Sequence, residues 1–189
     1  MNEPIEFGSV LPQELHADLY MHLYKKGWRL KNRSHPKSKR FWTQYQADNP
    51  DFKKASKIIL DKIKEYTNRN IKCVRIHCNG QTSGQDGTAH TDFADDDVWT
   101  FVYFSNPNWD VRMGGGFNVL NPVLQQHQYY HYAANYGVLI KSNWPHWGDC
   151  PNFHTDELRT SIAFSYTISK KYDTIRKIAK ESEVGNGEY

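Results

Sequence analysis

The chain changes character at Asn70, and that boundary limits the folds open to it. Before it lie two stretches with helical periodicity. After it come six short segments rich in β-branched and aromatic residues, set apart by Gly, Asn, Asp and Pro. Residues 11–26 are predicted as a helix, with Pro12 near the start, Leu15, Leu19, His22 and Leu23 at helical spacing, and Gly27 as the stop. Asn49-Pro50-Asp51 opens a second helix to about Asn68, whose apolar face carries Phe52, Ala55, Ile58, Ile59, Ile63 and Tyr66. Short strands at 28–30 and 40–45 flank a basic loop. Strands are expected at 71–78, 99–104, 116–120, 129–133, 137–141 and 159–168, and a short surface helix with a frayed end after Ser169. Helices followed by a run of strands argue for an α+β fold, with the helices buttressing one sheet of a β-sandwich or small barrel.

At 189 residues, with 38% hydrophobic and 24% charged residues, one domain can bury an adequate core without metal or disulfide. Its expected parts are helical and strand support over 1–69, a β-core over 70–168 and a tail over 169–189. Aromatics reach 14%, which favours strands and a ring-lined concave site over a helical bundle. A net charge of +3 is too small to argue for nucleic acid, so the basic run from Lys31 to Arg40 reads as a solvated loop. Cys73, Cys78 and Cys150 lack framework spacing, so reduced thiols and a cytoplasmic setting are expected. No apolar stretch is long enough to span a bilayer.

Chemistry concentrates around Ala89-His90-Thr91-Asp92-Phe93, after a turn with three glycines. On a strand, residues i and i+2 point to one side, so His90 and Asp92 can converge on one ion. A later histidine would complete two nitrogens and one oxygen on one face, the arrangement of non-haem Fe(II) oxygenases. Of His127, His131, His146 and His154, His146 has the best context, between Trp144-Pro145 and Trp147, with His154 its competitor. Arg159 enters the apolar strand Thr160–Tyr166, and burying it is costly unless it meets an anion. That anion is either a ligand carboxylate, which its planar fork suits, or the neighbouring Asp156 or Glu157.

From His90 to Tyr166 the chain resembles the iron(II)- and 2-oxoglutarate-dependent dioxygenases, in their prolyl 4-hydroxylase-like branch. The closest likeness is Trp99-Thr100-Phe101-Val102-Tyr103-Phe104-Ser105-Asn106-Pro107-Asn108-Trp109-Asp110 followed by Gly114-Gly115-Gly116-Phe117. The resemblance implies a double-stranded β-helix of jelly-roll or cupin-like form, with Fe(II) on His90, Asp92 and His146 and the distal carboxylate of 2-oxoglutarate on Arg159. It departs from the pattern in two places. The 13-residue step from His146 to Arg159 is a few longer than usual, and Phe104 stands where the family often has a Tyr that helps hold that carboxylate. Ser161, Asn79 and Gln81 are candidates to supply the missing hydrogen bond, while Tyr103 should face the other side of the sheet.

The resemblance further implies hydroxylation of an unactivated C–H bond, consuming 2-oxoglutarate and O2, with ascorbate in support. A prolyl residue in a peptide or protein is the leading substrate class, and free proline or another small metabolite the next. Trp99, Arg112, Trp144 and Trp147 are the candidates to contact substrate. Two other readings are a nucleic-acid dealkylase using the basic loop and a non-catalytic cupin-type binding protein.

Overall fold

The structure, a computed structural model, describes residues 1–25, 27–33, 38–152 and 155–185, with only the backbone of residues 32 and 182–185. His154, residues 34–37 of the basic run and the expected frayed end from Asn186 lie outside the described residues.

Among the described residues, ten strands and three α-helices follow in the order β1(Ile5–Phe7), α1(Gln13–Lys25), β2(Arg29–Asn32), β3(Phe41–Tyr45), α2(Pro50–Thr67), β4(Ile71–Gln81), β5(Val98–Phe104), β6(Phe117–Asn121), β7(Gln126–Tyr130), β8(Tyr136–Lys141), β9(His146–Gly148), β10(Arg159–Ile168) and α3(Tyr172–Gly185). A seven-stranded sheet runs β1-β8-β5-β10-β4-β3-β2, and a three-stranded sheet runs β7-β6-β9. All their pairings are antiparallel. The second helix obeys its sequence signals: the Asn49 side chain accepts from the Asp51 amide at 3.0 Å, Pro50 occupies the first turn, and Asn68 ends the helix in the left-handed region at φ 48°.

Period-2 patterning sorts the long strands into two faces. Ile76 and Cys78 of β4, Phe101 and Tyr103 of β5, and Ile162, Phe164 and Tyr166 of β10 pack against Leu15, Leu19, Phe52, Ile59 and Ile63 of α1 and α2. Burying each such side chain contributes about 1.5–3 kcal/mol, and this layer is the main core. On the opposite face Val102, Phe104, Val138 and Ile140 meet Phe117, Val119, Tyr130 and Trp144 of the smaller sheet and its connections. A third cluster docks α3, through Ile175 and Ala179, on Val74, Phe93 and Val98.

The sequence expectations fail in several places, among them the end of β4, which continues through Gly80 to Gln81 where a turn is expected, and the last helix, which is 14 residues long and packs through Ile175 and Ala179. Strand β7 covers 126–130, so His131 lies beyond it and is exposed. Strands β1 and β9 are three residues each, too short to carry a periodic signal. On α1 the buried histidine is His16, bonded to the Tyr103 hydroxyl at 2.5 Å, while His22 sits at the surface with Asp51. His90 forms an isolated bridge to His146, and no strand runs through His90 and Asp92. Among the described residues no helix is long and apolar enough to cross a membrane.

Candidate metal centre and cosubstrate pocket

The bridge replaces the expected strand as the device that brings the ligands together. The His90 amide donates to the His146 carbonyl at 3.1 Å and the His146 amide returns the bond at 2.9 Å. The Asp92 amide is fixed to the Ser142 carbonyl at 2.9 Å. One ligand atom from each of His90, Asp92 and His146 then lies within 4.8 Å of the others. Each histidine has its Nδ1 at 2.8 Å from a backbone carbonyl, His90 on Thr88 and His146 on Trp144. Those contacts assign Nδ1 as donor and leave both Nε2 atoms as lone-pair donors into the site, the state a metal requires.

The carboxylate is held as firmly. Arg75 Nη2 donates to Asp92 Oδ1 at 2.6 Å, and Thr100 Oγ1 donates to Oδ2 at 2.9 Å. Burial works against the Asp92 charge, but the Arg75 guanidinium prevails, by its charge and its hydrogen bond, and holds the carboxyl well below the usual range. Burial also lowers His146 to about 4, so its ring is neutral at physiological pH. Two imidazole nitrogens and one ionised carboxylate gathered at one point fit a divalent transition metal with open positions.

Arg159 lies in the same cavity, of about 680 Å³, and is 1% exposed. Its Nε donates to the Gly115 carbonyl at 2.5 Å, and Nη1 reaches Gln81 Oε1 at 2.9 Å and Ser161 Oγ at 3.2 Å. The guanidinium carbon lies 5.9 Å from the Phe104 ring centroid and 5.2 Å from that of Tyr132. Neither Asp156 nor Glu157 forms an ion pair with it, nor does any carboxylate of the described residues. A buried guanidinium satisfied only by neutral acceptors is suited to an incoming anion.

The Trp99–Phe117 run builds the seat of this arginine. Asp110 caps a 3-10 turn by accepting from the Arg112 amide at 2.8 Å, and Trp109 Nε1 holds the Gly114 carbonyl at 2.9 Å. Gly115 follows at φ +75°, and a Cβ there would meet Arg159 Cδ at 3.0 Å. On the other side a Cβ at Gly148 would meet both terminal nitrogens, at 3.2 and 3.3 Å. The long step after His146 is partly anchored too, by a bridge from Gly114 to Pro151.

Asn79, Gln81 and Ser161 line the cavity. Asn79 Oδ1 is buried and has no hydrogen-bond partner among the described residues. Tyr103 faces the helices, bonded to His16 and Asn135, and Phe104 stacks on Tyr132 at 4.6 Å. The four residues expected at the substrate do not line the cavity. Trp99 is in the helix-side core under Lys141, and Trp144 is buried between the sheets. Trp147 stacks on His127 at 5.4 Å, and Arg112 pairs with Asp110 in an exposed turn. Large rings adjacent in sequence to a ligand point wherever the pleat sends them, and here that is into packing.

No protein-family model matches the chain, and no curated protein does. Solved structures match in shape. A prolyl-4-hydroxylase from Pseudomonas putida superposes with a TM-score of 0.68 at 16% identity, covering 89% of this chain and 94% of that one. A Trichoplax adhaerens prolyl hydroxylase, solved with a hypoxia inducible factor peptide fragment, gives 0.69 at 17% over 92% and 87%. The non-heme alpha ketoglutarate dependent epimerase SnoN gives 0.70 at 11% over 89% and 79%. The fold is that of the 2-oxoglutarate oxygenases. Within this oxygenase fold the double-stranded β-helix expected from the sequence is present, with α1 and α2 packed on its larger sheet.

Sequence reasoning missed Arg75, Thr100 and the Tyr132 ring. The signal for Arg75 was present: Arg75, His77, Asn79 and Gln81 alternate with Val74, Ile76 and Cys78 on one strand. That polar row on an otherwise apolar strand, running into the glycine turn, marks a cavity wall.

Proposed function

We propose that this chain is a non-haem Fe(II) dioxygenase that uses 2-oxoglutarate and O2 to hydroxylate an unactivated C–H bond, with a prolyl residue of a peptide or protein as the first substrate class. The observation that carries the reading is the pairing, in one cavity, of a His-Asp-His triad with a buried arginine that has no carboxylate partner among the described residues. Fe(II) bound by His90, Asp92 and His146 would supply the oxidation, in which R–H, 2-oxoglutarate and O2 give R–OH, succinate and CO2.

The residues of the chain do the rest. Arg159 holds the distal carboxylate, oriented by Gly115, Gln81 and Ser161, while Phe104 and Tyr132 keep water from its face. The bonds from Arg75 and Thr100 keep the Asp92 carboxylate ionised and in one rotamer. Retention of Asp92 favours hydroxylation, since related halogenases lack that carboxylate. The hydrogen bond lost with the hydroxyl at Phe104 comes from Ser161, whose Oγ accepts from the guanidinium at 3.2 Å and keeps its own proton to donate, whereas the Gln81 amide nitrogen is committed to the Gln85 and Gly148 carbonyls. The likeness to two prolyl hydroxylases supports the prolyl class, and the likeness to SnoN keeps a small molecule as the second.

Anaerobic titration with Fe(II) and 2-oxoglutarate tests the reading. A visible charge-transfer band that disappears in Asp92→Ala is expected, together with succinate release in air. Absence of both leaves a non-catalytic binding protein. Incubation with proline-containing peptides and free amino acids, read as an oxygen-atom mass gain, then identifies the substrate.

A further inference from the structure

The cavity wall is electrostatically unbalanced. Its described lining contains Arg29, Lys31, Arg33, Arg75 and Arg159 against a single carboxylate, Asp92. A divalent ion and the 2-oxoglutarate dianion cancel each other, so loading the site leaves this cationic excess unchanged. Arg75 is engaged with Asp92, and Arg159 is reserved for the cosubstrate. Arg29 and Lys31 make no ion pair with any described residue.

Their placement gives the imbalance a shape. Both lie on β2, the outermost strand of the large sheet, which among the described residues bonds only to β3. Arg29 is opposite Thr43, and Thr43 is opposite Asn79, so one row of side chains leads from the open edge into the cavity. The β2–β3 register slips between Leu30 and Asn32, a bulge at Lys31 of the kind that re-aims a side chain. Charges on an edge strand often guard against aggregation, but these two line the cavity mouth. Two residues along a strand span about 6.6 Å, which is also the spacing of alternate side chains in an extended peptide. A point anion would use one of these cations; an extended acidic segment meets both.

We propose that the cavity mouth receives an acidic peptide segment in extended conformation, aligned along β2 with its carboxylates on Arg29 and Lys31. This rests on the oxygenase reading for what happens at the iron, but the recognition itself is measurable without turnover. An open strand edge supplies main-chain hydrogen bonds to such a segment, and the alternate cations supply selectivity.

The test is equilibrium binding of two short peptides to the full chain in saturating 2-oxoglutarate under anaerobic conditions. One has glutamate at alternate positions around a central proline, and the other has glutamine in their place. The glutamate peptide should bind at least ten-fold more tightly at low salt, with the preference shrinking as salt screens it. In an Arg29→Glu/Lys31→Glu double variant the preference should vanish, while the 2-oxoglutarate affinity and thermal midpoint stay at wild-type values. Arg29→Gln alone should give an intermediate loss. Equal binding of the two peptides overturns the proposal, as does a preference that survives the double variant. Tighter binding of an oligothymidylate of equal charge would assign the surface to nucleic acid and also overturn it. Loss of the 2-oxoglutarate band with the glutamate preference intact would reject the oxygenase reading instead.

Discussion

Replacing Arg159 with methionine separates a ligand-binding arginine from a structural one, because the two roles predict opposite balances. The Arg159 guanidinium is 1% exposed, with three hydrogen bonds to neutral acceptors and no ion pair to a described residue. Its desolvation costs several kcal/mol, and each such bond to a charged donor returns about 1.5–3 kcal/mol. The two nearly cancel, so a methionine of similar length should change ligand-free stability by no more than about 1 kcal/mol. For a chain of this size that is a shift of about 2–4 °C. Ligand binding should respond quite differently. Truncating one partner of a buried charge pair costs about 2–5 kcal/mol, and a loss of 3 kcal/mol weakens 2-oxoglutarate by roughly 100-fold. At a concentration 100 times the wild-type Kd, 2-oxoglutarate stabilises the wild type by about 2.7 kcal/mol, or roughly 5–10 °C. The variant, then near its own Kd, should gain only about 0.4 kcal/mol, or roughly 1 °C. Thermal melts of both proteins with and without 2-oxoglutarate, in the presence of metal, read all four values. A ligand-free variant that melts more than about 8 °C lower, or one that keeps the full 2-oxoglutarate shift, would refute the reasoning.

Three further outcomes are expected. Arg75→Leu should weaken Fe(II) binding by about 10–100-fold, measured by competition with a chromophoric chelator, because Asp92 keeps only its Thr100 bond; unchanged affinity would show that Arg75 has no role in holding the ligand. His146→Ala should abolish Fe(II) binding in the same assay, and retained binding would move the third ligand elsewhere. Burial lowers the pKa of His16 below its ordinary 6.5, so below that pH the unfolded chain takes up a proton that the folded one refuses. Stability is therefore lost as pH falls below about 6.5, and His16→Gln should flatten that part of the melting-temperature profile; a superimposable profile would exclude His16 as its source.

Much of the fold was legible in the sequence because its elements announce themselves locally. The apolar face of α2, its Asn49-Pro50 start and its left-handed Asn68 stop are all short-range signals. The alternation of Ile162, Phe164 and Tyr166 with smaller or polar residues likewise specifies β10 and its buried face. Strands β1 and β9 escaped notice because three residues have no period, and each exists only through its partner, β8 or β6. The ligand types and the buried Arg159 could be named from sequence, since residue chemistry and the cost of burying a charge do not depend on knowing the fold.

What only the tertiary structure decided is which groups meet. His90 and Asp92 converge through a single bridge to His146 and an amide bond to Ser142, partners distant in the chain. Arg75 reaches Asp92 from β4, and the carbonyl seating Arg159 comes from Gly115. The same geometry sends Trp99 and Trp144 into packing and leaves Arg29 and Lys31 at the cavity mouth. A sequence lists donors, acceptors and charges. Which face each occupies, and what stands opposite, follows from strand register and sheet order, and these are set by the whole core at once.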